Sequence, residues 1–433
     1  MPFSKLGLCP ELLQAVAEAK YTIPTPVQVA AIPPILRAQD VQACAQTGSG
    51  KTAAFALPIL QQLERSGRNP EKRQRRDEGR LLGATAIDRS AAEGIPRSTN
   101  GATRGDRSVS GLVLVPTREL AMQVGEVFRT LGRYLPQPIK VLTVFGGVSI
   151  NPQMMALRGG ADIVVATPGR LLDLADHNAV RLSDVSTLVL DEADRLLDEG
   201  FADELTRVLA LLPDRRQNLL FSATFPPAVR SLAEQLLRNP VRVDVATVAE
   251  TLPDIQQRSI AVDPERRTQL LRHLIQQHGW ERTLVFVATK YATEHIAVKL
   301  QRLGFAARAL NGDLSQGART QALADFKAGR VRVLIATDVA ARGIDVVDLA
   351  AVVNFDLPRS TADYVHRIGR TGRAGASGVA VSFVPAAMEA HFRLIEKRNR
   401  FRLEREKVRG FEPARQEPRT DAHDRTPWPG KRG

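Results

Sequence analysis

The sequence predicts an α/β fold made of two tandem domains, each with a parallel sheet covered by helices on both faces. The chain has 433 residues, more than one hydrophobic core usually serves. In both halves, short and nearly continuous apolar runs alternate with helical or turn-forming segments, a pattern typical of buried parallel strands. Most of these runs end in a polar cluster, and ligands of such sheets bind at the carboxyl ends of the strands.

Nine apolar runs are the clearest strand candidates, and they fall into two similar sets. The first half contains GLVLVP (111–116), VLTVFGG (141–147), ADIVVATP (161–168), STLVLDEAD (186–194) and QNLLFSAT (217–224), and the second contains RTLVFVATK (282–290), VRVLIATD (331–338), LAAVVNFD (349–356) and GVAVSFV (378–384). Since one design occurs twice, two domains are expected rather than one large sheet.

Changes in composition predict the domain boundaries. We expect a first domain over residues 1–245, a polar linker over 246–257, a second domain over 258–390, and a basic helix with a disordered, proline-containing tail over 391–433. Residues from about 65 to 110 are rich in Gly, Arg and Ser and lack apolar periodicity, which predicts a mobile insertion in the first domain.

The charge balance favours a polyanionic partner. The formal net charge is +13 and the isoelectric point is about 10.2, and binding to phosphates releases their condensed counterions. A basic surface that only aids solubility would give the same totals. Residues 65–110 hold eleven Lys and Arg against six Asp and Glu, and residues 391–410 hold eight against three. Most of the excess charge therefore lies outside the apolar strand pattern.

Several other classes of protein are disfavoured. No apolar run approaches the roughly 18 residues that a membrane span needs, so no membrane association is expected. The start, MPFSKLGLCPELL, lacks the features of a secretory signal. Cys9 and Cys44 are too few for a disulfide framework and have no metal-ligand spacing. We therefore expect a cytoplasmic protein.

The segment AQTGSGKT (45–52) has the context of a phosphate-binding loop, because it follows an apolar patch and precedes a helical pattern. Backbone N–H groups of Gly48, Ser49 and Gly50 would contact phosphate oxygens. The Lys51 ammonium would contact the β- and γ-phosphates, and the Thr52 hydroxyl would bind Mg²⁺. Ala45 stands where the strict motif has glycine, so the loop alone could still be a chance glycine-rich turn.

The segment DEAD (191–194) ends an apolar run, which places Asp191 at a strand terminus. Asp191 would hold Mg²⁺, and Glu192 would orient and deprotonate the attacking water. A solvated acidic helix start is the alternative, since acidic residues are favoured there. The phosphate-binding loop upstream favours the catalytic interpretation.

These motifs together resemble the DEAD-box RNA helicase family. The series AQTGSGKT, PTREL, TPGR, DEAD, SAT, ATDVAARGID and HRIGRTGR occurs in the family's order, and the match covers roughly residues 1–385. The resemblance implies two RecA-like domains, with ATP and Mg²⁺ as cofactors and RNA as partner. SQGARTQALADFK and DYVHRIGRTGRAG look most like the bacterial RhlE-like branch.

The resemblance also assigns the rest of the nucleotide site. In KYTIPTPVQ (20–28), Gln28 would read the adenine edge, although Lys20 stands where the family commonly has glycine. Phe3 would stack on the base, and ordinary packing of its ring is the alternative. Gln46 and Thr47 belong to the phosphate-binding loop, and Asp345 would bind ribose hydroxyls.

Two arginines of the second half and polar residues of both halves are implied to complete the site. Arg370 and Arg373, three apart and expected on one side of a helical turn, resemble the family's arginine fingers; a basic face for RNA phosphates is the alternative. Ser222 and Thr224 would link Asp194 to domain closure, and His366 would join that network.

The RNA path is implied to consist of sugar and phosphate contacts, which suits a largely sequence-independent helicase of single strands and short duplexes. The residues that match the family's RNA-binding positions are Thr117, Arg118, Gly147, Thr167, Arg170, Thr289, Gln316, Arg319 and Thr337. Each alone could be a cap or loop residue. Asn311 stands where the family usually has histidine, and it receives no role.

We therefore expect an ATP-dependent RNA helicase that unwinds short duplexes locally and non-processively as its two domains close. An ATP-gated RNA clamp with little unwinding would use the same residues. A translocating DNA helicase of the same architecture is disfavoured by the DEAD and SAT motifs. Ribonucleoprotein or RNA-decay complexes are candidate partners at the family level.

Overall fold

The computed structural model describes residues 1–45, 48–68, 109–198, 200–244, 255–341, 349–372 and 378–414. They fall into two compact units, one up to residue 244 and the other from residue 255. Most of the predicted insertion, residues 69–108, and the last part of the predicted tail, residues 415–433, lie outside the described residues.

The first unit contains seven strands and nine helices among its described residues. The strands are β1 (Val41–Cys44), β2 (Gly111–Leu114), β3 (Val141–Val144), β4 (Ile163–Ala166), β5 (Thr187–Asp191), β6 (Gln217–Ser222) and β7 (Val241–Asp244). The helices are α1 (Pro10–Glu18), α2 (Pro26–Leu36), α3 (Lys51–Arg68), α4 (Arg118–Leu131), α5 (Asn151–Leu157), α6 (Pro168–Asp176), α7 (Ala193–Asp198), α8 (Ala202–Ala210) and α9 (Pro227–Leu236), with short 3-10 helices at Phe3–Leu6 and Gly132–Tyr134.

The strands of the first unit form one parallel sheet in the order β3-β4-β2-β5-β6-β1-β7. Alternate residues of each strand point to opposite faces. Accordingly, Val113 and Val189 belong to one buried cluster, whereas their neighbours Leu112 and Leu188 belong to another. Both faces of the sheet are therefore covered by apolar side chains, as the sequence predicts.

The second unit repeats the design. Its strands are β8 (Ile255–Ala261), β9 (Thr283–Phe286), β10 (Ala307–Leu310), β11 (Val333–Ala336), β12 (Ala351–Asn354), β13 (Gly378–Val384) and β14 (Arg405–Glu406), in the order β10-β11-β9-β12-β13-β8-β14. Its helices are α10 (Arg267–His278), α11 (Lys290–Arg302), α12 (Gln316–Lys327), α13 (Asp338–Ala341), α14 (Thr361–Ile368) and α15 (Glu389–Asn399), with 3-10 helices at Pro264–Arg266 and Ala386–Met388. All the pairings are parallel, and the predicted fold class is confirmed.

The second sheet begins before the end of the predicted linker. Residues 255–257 are the first part of β8, which pairs with β13 along its whole length. The segment is polar because β8 lies next to the edge strand β14, where polar side chains such as Gln256 remain exposed. Sequence composition therefore gave no sign of the strand.

Ordered structure also continues beyond residue 390, where a basic helix and a tail were predicted. Phe392 and Ile395 of α15 are buried against Tyr364 of α14. Arg405 at the start of β14 donates to the carboxylates of Glu389 and Glu396, with its guanidinium nitrogens 2.9 Å from an oxygen of each. Part of the C-terminal positive charge is thus used to hold this segment on the second unit.

The first residues of the predicted disordered tail are packed as well. Phe411 contacts the core cluster of the second unit, with its ring centroid 5.3 Å from that of His273 and 5.2 Å from the Arg266 guanidinium carbon. Aromatic and cation contacts outweigh the proline signal at this point. No helix in the described part of the chain is long and apolar enough to cross a membrane.

Candidate nucleotide and nucleic-acid site

The predicted functional residues of the first unit follow the carboxyl ends of six neighbouring strands. The phosphate-binding loop follows β1, Asp191 ends β5 and Ser222 ends β6, whereas Thr117, Gly147 and Thr167 follow β2, β3 and β4. In the sheet order, β5, β6 and β1 are adjacent, and so are β3, β4 and β2. One edge of the sheet therefore carries the residues predicted to bind nucleotide on one half and the residues predicted to bind nucleic acid on the other.

The described part of the phosphate-binding loop has the geometry of an anion cradle. Gly50 has φ +88°, and a Cβ there would lie 2.5 Å from the Gln28 amide nitrogen, so only glycine fits. Lys51 begins α3 and is 6% exposed, and its Nζ has no hydrogen-bond partner in the described structure. A buried ammonium without a partner is costly, which fits a phosphate ligand. Thr52 lies in the first turn, and Gln46 and Thr47 lie outside the described residues.

Asp191 and Glu192 are both buried, at 2% and 5% exposure. Burial raises the pKa of the Asp191 carboxyl to about 6, while the Lys51 ammonium opposes that shift. The Glu192 backbone N–H donates to Asp191 Oδ1 at 3.0 Å. Glu192 has φ +53°, a conformation that non-glycine residues rarely adopt and that concentrates at functional sites.

Asp194 is tied to the SAT segment by direct hydrogen bonds. Its Oδ2 accepts from the Thr224 backbone N–H at 2.9 Å and from the Thr224 hydroxyl at 2.8 Å. The Ser222 hydroxyl accepts from the Asp194 N–H at 3.2 Å and donates to the Thr224 carbonyl at 2.7 Å. The three residues predicted to couple thus form one network within the first unit.

Gln28 connects the predicted adenine motif to the phosphate-binding loop. Its Oε1 accepts from the Thr25 backbone N–H at 2.9 Å, and its Nε2 donates to the Gly50 carbonyl at 3.1 Å. The first bond is half of a capping box at the start of α2, a signal readable from Thr25-x-x-Gln28. Phe3 is 5% exposed within the apolar core, so its ring packs as the alternative interpretation describes.

Arg118 and Gly147, two predicted RNA contacts, touch each other. Gly147 has φ +74°, and a Cβ there would lie 2.3 Å from the Arg118 guanidinium. The Thr117 hydroxyl caps α4 by accepting from the Leu120 N–H at 3.3 Å. A capping hydroxyl keeps its own proton for another acceptor, so this cap is compatible with a phosphate contact.

Arg170 is a buried arginine near the start of α6 in the first unit. It is 8% exposed, follows the N-terminus of α6, and donates from one Nη to the Val148 carbonyl at 2.8 Å. Its Nε and other Nη have no hydrogen-bond partner in the described structure, although an Asp173 oxygen lies 3.5 Å from Nε. Thr167 occupies the N-cap position of the same helix. Buried, unpartnered guanidinium nitrogens suit an anionic ligand such as phosphate.

The second unit places its predicted RNA contacts at the equivalent edge. Thr289 and Thr337 follow the adjacent strands β9 and β11. The hydroxyls of Thr289 and Thr337 cap α11 and α13, accepting at 3.1 and 3.4 Å. Gln316 begins α12, and both polar atoms of its amide are buried without a partner among the described residues.

Helix α14 ends at Ile368, and hydrogen-bonded turns continue to Thr371, whose N–H donates to the Ile368 carbonyl at 3.1 Å. Thr371 also forms an isolated bridge with Leu349, and Gly372 adopts φ +68°. The predicted helical turn over Arg370 and Arg373 extends outside the described residues. Arg370 is buried at 7% exposure, and His366 lies on α14. Arg373 and Asp345 lie outside the described residues.

Three residues have structural roles that the sequence did not predict. Arg367 donates to both carboxylate oxygens of Asp338, each at 2.6 Å, and lies over the Phe286 ring at 4.8 Å. Arg195 Nε lies 3.6 Å from Glu192 Oε2, and both side chains are 6% exposed.

Asn311, the third, is fully buried and donates to Thr293 Oγ1 at 2.9 Å. Its backbone carbonyl accepts from Arg319 Nη1 at 3.0 Å. Its only sequence signal was a position at which the resembled family usually has histidine. Among the described side chains, no group of three or more His, Cys, Asp or Glu could hold a metal ion. Mg²⁺ commonly uses one or two protein ligands and substrate phosphates, so Asp191 and Thr52 fit that ion.

Comparison with known families gives two matches in tandem. Residues 25–232 match the DEAD/DEAH box helicase model, and residues 266–375 match the helicase conserved C-terminal domain model. The two models correspond to the first and second units.

Similar proteins cover nearly the whole chain. The ATP-dependent RNA helicase DeaD of Mycobacterium tuberculosis is 41% identical over 92% of this chain and 63% of its own length. The DEAD-box ATP-dependent RNA helicase CshA of Bacillus cereus is 37% identical over 93% of this chain and 69% of its own. The chain thus spans less than two thirds of the DeaD relative. None of these matches assigns the chain to the RhlE-like branch.

Solved structures show the same architecture. Dbp5 of S. cerevisiae, bound to RNA and ADP BeF3, has 32% sequence identity and a TM-score of 0.75, covering 94% of this chain and 95% of its own. A DEAD box protein from Methanococcus jannaschii has 33% identity and a TM-score of 0.50, covering 94% of this chain and 99% of its own.

Proposed function

The chain belongs to the DEAD-box helicase family, and from this membership we propose that it is an ATP-dependent RNA helicase whose ATP hydrolysis is stimulated by RNA. The observation that carries the proposal is the buried Lys51 ammonium, which has no hydrogen-bond partner in the described structure and stands beside the buried Asp191 and Glu192. A site that leaves a cation unpaired next to two carboxylates suits a nucleoside triphosphate with its metal ion.

The first unit supplies the groups that act on the nucleotide. Gly48 to Gly50 would hold phosphate oxygens by backbone N–H groups, and Lys51 would neutralise charge on the outer phosphates. Mg²⁺, held by Asp191 and the Thr52 hydroxyl, would neutralise the charge that develops on phosphate oxygens. Glu192 would orient the attacking water and accept its proton, and Gln28 would select adenine through the donor and acceptor of its amide.

RNA would lie along the half of each sheet edge that carries Arg118, Arg170 and their second-unit counterparts Thr289 and Arg319. These groups are cations and helix-capping hydroxyls, which bind phosphate and sugar oxygens whatever the base. Binding would therefore be largely independent of sequence. In the first unit the nitrogens of Arg170 that have no hydrogen-bond partner among the described residues support this path, and in the second unit the Gln316 amide does so.

We further propose that ATP and RNA together favour closure of the two units, with Arg370 and Arg373 reaching the γ-phosphate. Closure would distort a few nucleotides, so short duplexes would open and long ones would not. The network of Asp194, Ser222 and Thr224 would transmit the state of the nucleotide site to the RNA half of the edge, with His366 joining from the second unit.

The test is to measure ATP turnover with single-stranded RNA, with DNA of equal length and sequence, and with neither. We expect weak turnover alone, strong stimulation by RNA and little by DNA. Strand displacement is then measured on duplexes of 10 and 30 base pairs. Local unwinding should open only the shorter duplex in one binding event. Stimulation without any displacement would favour an ATP-gated RNA clamp, and equal stimulation by DNA would contradict the RNA assignment.

A further inference from the structure

Tyr291 is an exposed aromatic residue in the first turn of α11. Among the described aromatic side chains, only Tyr21 at 37% and Tyr291 at 74% are strongly exposed. The Tyr291 ring stacks on that of His295, one helical turn later, with centroids 5.5 Å apart and planes 18° apart. Single exposed apolar side chains are normal on protein surfaces. Tyr291 differs because its ring stacks on His295 and because it lies near predicted RNA contacts.

The location is the RNA edge of the second unit. The predicted RNA contact Thr289 caps the same helix, by accepting from the Ala292 N–H at 3.1 Å. Lys290, the next residue, pairs with Asp313 in the turn after β10. Tyr291 is therefore held within one helical turn of a residue that the proposed function places against the RNA backbone.

Asn311 fixes this turn to a second RNA contact. Its side chain donates to Thr293 Oγ1 at 2.9 Å on α11, and its backbone carbonyl accepts from Arg319 at 3.0 Å on α12. All of these groups are on the second unit, and the bonds restrain the start of α11 relative to Arg319. The start of α11, which carries the exposed ring, is thus held in place relative to Arg319, a buried residue at 5% exposure.

Two unpaired cations lie further along the helix that carries the ring. Lys299 and Arg302 are exposed on α11, about two and three turns beyond Tyr291, and neither has an acidic partner among the described residues. Closer to the ring, Lys290 pairs with Asp313, and Glu294 accepts a hydrogen bond from Asn311 at 3.3 Å. Aromatic rings and cations are the common elements of single-strand binding surfaces.

We propose that Tyr291, supported by His295, is a stacking platform for one nucleobase of the bound RNA strand. The inference rests on the proposed function and adds a base contact to a path otherwise made of phosphate and sugar contacts. Stacking tolerates any base because every base has a π-face, so the platform leaves binding independent of sequence. The His295 contact fixes the ring before RNA arrives, which reduces the entropy lost on binding.

The test combines Tyr291 variants with RNA that lacks single bases. Affinity for a ten-nucleotide RNA is measured with a non-hydrolysable ATP analogue, for the intact strand and for strands with one abasic position moved along the sequence. Tyr291→Leu should weaken binding of intact RNA about 5- to 100-fold, whereas Tyr291→Phe should stay within about twofold. Leu394→Ala, at an exposed apolar residue of α15 (48%), is the matched control and should have no effect.

The RNA strands with one abasic position test whether the Tyr291 ring contacts a particular base of the bound strand. At one position, loss of the base should weaken the parent as much as Tyr291→Leu does, and the variant should show no further loss there. Equal additive losses at every position would overturn the proposal. Unchanged RNA affinity of Tyr291→Leu would also overturn the proposal and would indicate that the ring contacts a protein partner instead. If RNA fails to stimulate ATP turnover of the parent, the proposed function fails instead, and that measurement does not involve Tyr291.

Discussion

Thr224 donates two hydrogen bonds to one oxygen of Asp194, from its backbone N–H at 2.9 Å and from its hydroxyl at 2.8 Å. Asp194 is 3% exposed and follows β5, whereas Thr224 follows β6. A hydrogen bond to a buried charged group is worth about 1.5 to 3 kcal/mol. The pair therefore fixes the position of the SAT segment relative to the DEAD segment.

Removal of the hydroxyl donor should separate hydrolysis from unwinding. Thr224→Val keeps the backbone bond and the shape of the side chain, so ATP binding should remain near normal. Displacement of a short RNA strand should fall more than RNA-stimulated ATP turnover, because the link from Asp194 is weakened. Both rates are measured on the same preparation. Thr224→Ser keeps the donor and should behave like the parent, and equal loss of both rates in Thr224→Val would contradict a coupling role.

Glu192→Gln should bind ATP and RNA yet hydrolyse almost nothing. Glutamine keeps the size of the side chain and can adopt the same backbone conformation, but it cannot accept the water proton. Single-turnover hydrolysis measures the loss, and RNA affinity in ATP should rise because the closed state persists. Asp203→Asn, at an exposed carboxylate of α8, is the control. Normal turnover in Glu192→Gln would remove Glu192 from the mechanism.

The features that the sequence predicts are set by neighbouring residues. The features that it does not predict depend on contacts between segments that are distant in the chain. The strand that ends at Asp191 and the loop before Lys51 are local patterns, so sequence alone predicts them. The pairing of Arg367 with Asp338 joins segments 29 residues apart and depends on β9 lying between β11 and β12. Strand order is not encoded in any local pattern, and in the first unit it also separates the residues predicted to bind nucleotide from those predicted to bind RNA.

One local expectation failed because a short-range signal competed with packing. The prolines near the C-terminus predicted a disordered tail, yet Phe411 packs on the second unit.

Base selection should depend on Gln28. Gln28→Ala removes the donor to the Gly50 carbonyl and the acceptor for the Thr25 N–H. ATP affinity should fall, and the ratio of ATP to GTP affinity should approach one because the adenine edge loses its paired contacts. Competition binding with both nucleotides measures the ratio. Gln235→Ala, an exposed glutamine of α9, should leave it unchanged; an unchanged ratio in Gln28→Ala would overturn the adenine assignment.

The raised pKa of Asp191 predicts a stability that depends on pH. Burial raises the pKa of this carboxyl from the ordinary 3.8 to about 6. Between these values the folded state holds a proton that the unfolded state has lost, so its contribution to stability decreases as pH rises towards 6. Above pH 6 the cost of the buried charge is fully present, on the order of 2 to 3 kcal/mol.

Asp191→Asn should therefore stabilise the metal-free and nucleotide-free protein at pH 7.5 much more than at pH 4.5. Thermal unfolding midpoints in the presence of a chelator, recorded for parent and variant at both pH values, measure the difference. Asp203→Asn should show no such pH dependence. A gain that is equal at the two pH values would mean that the carboxyl titrates near its ordinary pKa.

Arg370 gives the sharpest test of closure, because it lies in the second unit while Lys51, Asp191 and Glu192 lie in the first. Arg370→Ala should leave ATP binding to the first unit largely intact and reduce hydrolysis by about 10³- to 10⁵-fold, as loss of an arginine finger does in phosphoryl transfer. Linkage requires that RNA raise ATP affinity by the factor by which ATP raises RNA affinity. Both factors, measured by titration in the parent and in the variant, should fall together towards one. Arg398→Ala, an exposed arginine of α15, is the control for loss of positive charge. Coupling that survives in Arg370→Ala at the parent's strength would mean that the two units communicate through other residues.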